Sequence, residues 1–222
     1  MCEDSETGME TLREIAGRYD TDKARPQRLL LTAYERLLEP RRTEKLRLVE
    51  IGVLGGGSLR MWRDYLPNAE ITGADLDPVT VEGFTVLHGD QGDPEFLAQL
   101  AEHGPFDVVI DDGSHRTAHQ LTTLEHLWPH LNPGGIYFVE DIHVSYFRRY
   151  HGGYRAPGTF VEYAKTLLDD PNARWHQQGS TLAELESVQM YPELVVLTKL
   201  REPFYGGRPP DPERLAFWNE EP

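Results

Sequence analysis

The chain has 222 residues, with 22 Lys and Arg against 37 Asp and Glu, a formal net charge of -15. That length fits one domain of ordinary size, and the acidic balance disfavours nucleic acid or an anionic membrane as a partner, because both need compensating cation. The single cysteine, Cys2, excludes an internal disulfide, and no charged-then-apolar leader or long apolar run stands near the start, so a cytoplasmic protein is expected.

Residues 1–8 are polar and acidic, as a frayed end would be. From Met9 the pattern turns helical, with Leu12, Ile15 and Ala16 on one side; "RYDTDKARPQ" breaks it, and a second helical run, "LLLTAYERLLEP", closes at Pro40. These helices, residues 1–45, are expected to cap one end of a sheet. From Leu46 the rhythm is strand, turn, helix: strands at "LRLVEIGV", "EITGADLD", "FTVLHGD", "FDVVIDD" and "GGIYFVEDI", helices at "SLRMWRDYL", "DPEFLAQLAEH" and "TAHQLTTLEHLWPHL". Continuous apolar strands alternating with helices predict an α/β domain with a parallel sheet covered on both faces, over residues 46–200. "LESVQMYPELVVLTK" reads as two strands about a tight turn at Pro192 and Glu193, a β-hairpin. Residues 146–160, "YFRRYHGGYRAPGTF", mix aromatic, basic and glycine residues, a composition that suits a lid over a sugar. The tail, 201–222, is rich in Pro and Gly and carries no structural expectation.

Between the first strand and its helix stands "GVLGGGS". A dinucleotide fingerprint needs glycine at first, third and sixth positions; counting from Gly52 the third is Leu54, and counting from Gly55 the sixth is Arg60, so a nicotinamide oxidoreductase is disfavoured. What remains is a loop whose backbone approaches a ligand closely, with Glu50 able to accept from an ammonium group and Ser58 placed to cap the helix. Asp75 ends the next strand where an acid on ribose hydroxyls sits in doubly wound folds, and Asp90 and Gln91 follow the third strand near the place of an adenine ring.

Two later strands end alike. "FDVVIDDGSH" runs into Asp111, Asp112 and His115, and "GGIYFVEDIH" into Glu140, Asp141 and His143. Asp112, Glu140 and Asp141 would converge at the carboxyl ends of the sheet, and carboxylates so close repel unless something positive sits among them. A hard divalent ion, Mg2+ or Mn2+, answers that need with oxygen ligands; zinc does not, for want of sulfur. His115 is then the candidate base for an oxygen nucleophile, with His143 in reserve.

The acid-x-glycine start of "EIGVLGGGS", followed by Asp75 after the next strand, resembles the class I S-adenosylmethionine-dependent methyltransferases over about Leu46 to Leu200. The resemblance implies a doubly wound, mostly parallel seven-stranded sheet, a Rossmann-like methyltransferase fold with N-terminal helices and a C-terminal β-hairpin. It implies S-adenosyl-L-methionine as cofactor, held by Glu50, Gly52, Gly56 and Ser58 on the methionine side, by Asp75 at the ribose, and by Asp90, Gln91 and Asp111. "IDDGSH" with the later "VEDIH" is similar to the metal-dependent sugar O-methyltransferases, including those acting on macrolide deoxysugars. That similarity implies Asp112, Glu140 and Asp141 as metal ligands, His115 as base, a sugar hydroxyl of a glycosylated natural product or polysaccharide as acceptor, and a homo-oligomer. Two alternatives stand beside it: a metal-dependent phenol or catechol O-methyltransferase, and an accessory protein that binds the cofactor without transferring methyl.

Overall fold

The structure, a computed structural model, describes residues 9–25, 28–173 and 179–202. Seven strands form one sheet: β1 (Arg47–Ile51), β2 (Glu70–Asp75), β3 (Thr85–His88), β4 (Phe106–Asp111), β5 (Leu131–Glu140), β6 (Leu185–Tyr191) and β7 (Leu194–Lys199), in the order β3-β2-β1-β4-β5-β7-β6. The first five run parallel. β7 enters antiparallel between β5 and β6, paired with β6 through the hairpin the sequence predicted. The doubly wound, mostly parallel sheet expected above is the fold observed. Most of the predicted tail, 203–222, lies outside the described residues.

Both faces are buried, which is why the strands carry near-continuous apolar runs. Residues alternate between faces along each strand. One face sets Leu48, Val108, Ile110, Phe138 and Val196 under α1 (Leu12–Ala16), α2 (Leu30–Leu38) and α3 (Gly57–Tyr65). The other sets Val49, Ile51, Val109, Tyr137 and Val195 under α4 (Pro94–Ala101), α5 (Thr117–Leu127) and α6 (Phe160–Thr166). The N-terminal helices thus cover a face and share its core, where the sequence suggested an end cap. Tyr34 of α2 locks that packing, with its ring centroid 4.5 Å from Phe138 and 4.9 Å from Trp62.

Local chemistry starts and stops these helices. Thr11 and Glu14 form a capping box on α1, Asp93 caps α4 ahead of Pro94, and Thr159 caps α6. Between β5 and α6, two 3-10 turns, Ile142–Tyr146 and Arg148–Tyr150, carry the aromatic segment, leaving Tyr146, Phe147 and Tyr154 exposed. The chain there folds back on itself: the Gly153 amide donates to the Ser145 carbonyl at 2.9 Å.

The glycine loop is shaped as much by the chain's own backbone as by room for a ligand. A Cβ on Gly57 would stand 1.9 Å from the Asp20 carbonyl oxygen, so glycine there lets the segment between α1 and α2 pass over the start of α3. At Gly55 a Cβ would meet nothing within 4 Å. Gly57→Ala is expected to lower stability by about 1–3 kcal/mol through this overlap, whereas Gly55→Ala stays within about 1 kcal/mol of the parent. Urea unfolding of the two variants checks the contrast, and equal costs would contradict the packing described.

Candidate active site

The carboxyl ends of β1, β4 and β5 meet where the strand order reverses, the usual ligand crevice of an open α/β sheet. Alternation decides which acid faces which layer. Ile51, Asp111 and Val139 stand side by side in register, as do Glu50, Ile110 and Phe138 on the opposite face. One step beyond Ile110 and Phe138 on that second face come Asp112 and Glu140. Glu50, Asp112 and Glu140 therefore all look toward the layer of α1, α2 and α3.

The segment between α1 and α2 meets them with positive charge. A 3-10 turn at Asp22–Ala24, whose N-cap Thr21 accepts from the Lys23 amide, aims Lys23 inward. Its ammonium group, 1% exposed, donates to Asp112 and lies 2.8 Å from Glu140 Oε1 and 3.3 Å from Glu50 Oε1. Arg28 adds a second cation: Nη2 bonds Asp141 and lies 3.7 Å from Glu140 Oε2, Nη1 bonds Asp22, and Nε donates to Glu193 at 3.0 Å. Tyr34 donates its hydroxyl to Glu140 Oε1 at 2.6 Å. Sequence reasoning called for a positive charge among these acids and named only a metal ion; the chain supplies part of that charge itself.

Burial governs the protonation of this group. It pushes Asp112 and Glu140 up to about 7, because solvent is lost and the acids repel one another, with Lys23 pulling the other way. Glu50 is raised for the same reason. Burial alone would lower Lys23, but Asp112, Glu140 and Glu50 outweigh it and hold the ammonium well above its ordinary value. Asp111, on the other face, is pushed up to about 6 by burial, opposed by a hydrogen bond from Gln91.

His115 and Asp141 both adopt left-handed backbone, φ 56° and 55°. His115 Nε2 lies 3.5 Å from Asp141 Oδ2, and His143 Nδ1 lies 3.9 Å from Asp141 Oδ1. Both histidines thus flank one carboxylate, and the Nδ1 atoms of both are buried without a hydrogen-bond partner. His143 also packs edge-on against the exposed Phe147, ring centroids 5.4 Å apart.

Several residues expected at a cofactor face inward instead. Glu50 is fully buried and accepts from Ser58 at 2.6 Å and Trp62 at 3.4 Å, besides Lys23, because its strand position points it into the helical layer. Ser58 is spent on that bond. Gln91 is also buried: it donates to Asp111 at 2.9 Å and accepts from the Ser114 amide at 2.5 Å, fastening the turn after β3 to the turn after β4. Asp75 Oδ2 accepts from the amides of Val53 and Leu54, both at 2.8 Å, so this acid holds the glycine loop. Gly52 has φ 93°, and a Cβ there would reach the Asp112 carbonyl at 2.1 Å; Gly56, φ 75°, lies against Val81. Asp90 is exposed and accepts from the Gly92 amide at 2.8 Å. The residues that sequence reasoning missed are Lys23, Arg28 and Tyr34. Their signal was positional: three acids of like strand parity face a layer whose nearest cations lie in "DTDKARPQR".

Residues 49–142 match a family described as a methyltransferase domain. Mycinamicin VI 2''-O-methyltransferase of Micromonospora griseorubida is 39% identical over 173 residues, 71% of this chain and 43% of the relative. L-olivosyl-oleandolide 3-O-methyltransferase of Streptomyces antibioticus is 34% identical over 229 residues, 94% of this chain and 59% of the relative. A solved structure of MycE methyltransferase from the mycinamycin biosynthetic pathway, in complex with Mg, SAH and mycinamycin VI, superposes with a TM-score of 0.80 at 33% identity, over 91% of this chain and 57% of that one. The chain carries a methyltransferase domain with the Rossmann-like fold of that structure. This methyltransferase domain spans about half the length of the curated relatives it matches.

The donor set suits a hard divalent ion. Asp112, His115 and Asp141 bring one ligand atom each within 4.8 Å of one another. Glu140 spends Oε1 on Lys23 and Tyr34, while its Oε2 is buried without a hydrogen-bond partner. Arg28 Nη2 stands 3.7 Å from that oxygen, too far to donate a hydrogen bond, so the oxygen's lone pairs are left for a metal ion. Oxygen ligands with one imidazole nearby match magnesium or manganese.

A pH dependence follows for the metal-free protein. Asp112 and Glu140 keep protons in the folded state up to about pH 7, whereas in the unfolded chain they release them near their ordinary values of 3.8 and 4.5. Between those limits the native state binds more protons, so these acids favour folding below the lower values and that contribution is lost as pH rises through about 7. The melting temperature of chelator-treated protein is expected to fall from pH 5.5 to pH 8, and added Mg2+ is expected to recover it at pH 8. A melting temperature that rises across the same interval would overturn the electrostatic account.

Proposed function

We propose that this chain transfers a methyl group from S-adenosylmethionine to a hydroxyl of a sugar on a glycosylated natural product, with Mg2+ or Mn2+ bound at Asp112, Glu140 and Asp141. The observation that carries the reading is the meeting of Asp112 and Asp141 with His115 at the strand-order reversal, with Glu140 beside Asp112 in the adjoining acidic group and a glycine turn whose Gly55 faces open space. The relatives above, one named for 2''-O-methylation of mycinamicin VI and the other for 3-O-methylation of L-olivosyl-oleandolide, support it. When bound, the divalent ion would acidify and orient the acceptor hydroxyl, and the sulfonium would supply the methyl group.

The chain's own residues do the rest. The turn after β1 would receive the methionine part along its backbone, and Asp75, already holding that turn through Oδ2, would accept from ribose hydroxyls through its remaining lone pairs. Asp90 and Asp111 would stand on the adenine side. Asp112 and Asp141 would fix the acceptor's direction of attack, so that its oxygen lines up with the methyl carbon. His115 Nε2, turned toward Asp141, would take the hydroxyl proton as the new carbon–oxygen bond forms, with His143 on the other side of the same carboxylate as reserve. The exposed Tyr146, Phe147 and Tyr154 would offer ring faces to the sugar or its aglycone. A cytoplasmic, homo-oligomeric enzyme belongs to the same proposal; among the described residues no helix is long and apolar enough to cross a membrane.

Calorimetric titration of S-adenosylmethionine and Mg2+ into chelator-treated protein, followed by mass spectrometry of a panel of macrolide and aromatic polyketide glycosides, tests the reading. Cofactor binding with Mg2+-dependent methylation of a glycoside is expected, and methylation of catechols alone would replace the acceptor class. His115→Gln is expected to lower kcat by about 10²–10⁴ with cofactor affinity retained. Asp141→Asn should abolish the Mg2+ response while cofactor still binds. Undiminished turnover of Asp141→Asn in chelator would remove the metal from the mechanism.

A further inference from the structure

The carboxylates assigned to the metal are themselves held by a cation that no ligand set includes. Lys23 donates to Asp112 and pairs with Glu140 and Glu50, each at a different strand end, and is 1% exposed. We propose that Lys23 is the positioning residue of the metal centre: a built-in ammonium that fixes Glu140 and Asp112 from the inner side, so that a divalent ion is taken on the outer side by the oxygens Lys23 leaves free. The inference rests on the metal reading given above.

Three observations favour positioning over competition for the ion's place. Glu140 is divided by use, with Oε1 given to Lys23 and Tyr34 and Oε2 buried without a hydrogen-bond partner. The group of Asp112, His115 and Asp141 lies apart from the group of Glu50, Asp112 and Glu140 that surrounds Lys23, and Asp112 belongs to both. Asp112 thus links an ammonium pocket to an outer pocket. Charge points in the same sense: Glu50, Asp112, Glu140 and Asp141 outnumber the cations they meet, Lys23 and Arg28, and Arg28 is shared with Asp22 and Glu193 as well. Lys23 further ties the metal side to the cofactor turn, since Glu50 accepts from Ser58 at the start of α3.

The test counts bound Mn2+ directly, by electron paramagnetic resonance of the free ion in titrations of the chelator-treated full chain. Parent protein should bind Mn2+, and Lys23→Met should bind it about tenfold or more weakly, as the loss of an outer-shell partner does. n-Propylammonium added to Lys23→Ala should restore affinity, and n-propanol should not, a distinction that a purely structural role would not produce. Tyr34→Phe, which frees the same Glu140 oxygen without changing charge, should weaken Mn2+ several-fold and serves if the lysine variants do not fold. Equal or tighter Mn2+ binding by Lys23→Met would overturn the inference, the tighter case identifying Lys23 as a competitor for the ion. Absence of Mn2+ binding by the parent would instead sink the metal reading itself.

Discussion

One ammonium group among three buried carboxylates organises this protein. Glu50, Asp112 and Glu140 stand at the ends of three adjacent strands on one face of the sheet, and Lys23 offsets their mutual repulsion. The demands on the rest follow from that arrangement. The chain between α1 and α2 must pass close over the sheet, which requires glycine at 57; the α2 layer must present Tyr34 to the same Glu140 oxygen that Lys23 meets; and Arg28 must neutralise Asp141 beyond the strand end. The N-terminal helices are consequently part of the chemistry. Remove them and the acids lose both their cations and their cover.

The same arrangement divides labour between the sheet's two faces. Asp111 and Asp112 are neighbours in sequence but belong to different layers, one bonded to Gln91 under α5 and the other to Lys23 under α2. A pair of adjacent acids at a strand end therefore serves two purposes at once: the inner one anchors the turn, and the outer one is available to a ligand. Glu140 and Asp141 repeat the pattern with a difference. Glu140 remains in the strand, while Asp141 swings out through a left-handed turn to meet both histidines.

Much of the fold could be read directly. Apolar runs such as "LRLVEI" and "FDVVID" alternate with amphipathic segments so regularly that the parallel sheet and its closing hairpin follow from pattern alone. The candidate site was legible as far as the structure brings Asp112, His115 and Asp141 together, as their places at two strand mouths suggested. Orientation was harder. Glu50 and Gln91 carry the right chemistry for ligand contact, and only three-dimensional packing shows that Ser58, Trp62 and Lys23 claim the one, Asp111 and Ser114 the other. Lys23 itself was hidden because a lone cation in a loop reads as solvated surface, and what buries it lies 27 to 117 residues away in sequence, at Glu50, Asp112 and Glu140.

The link through Gln91 carries a consequence for how such a protein can be altered. One amide side chain clasps the turn after β3 to the turn that bears His115, and Thr123 of α5 backs it at 3.2 Å. The two turns form a single rigid piece. Changes to the exposed Tyr146 and Tyr154 would leave that piece alone, whereas Phe147 packs against His143. An alteration of the turn at residues 89–92 would shift the turn that bears His115 along with it, and changes in the two would have to be selected together.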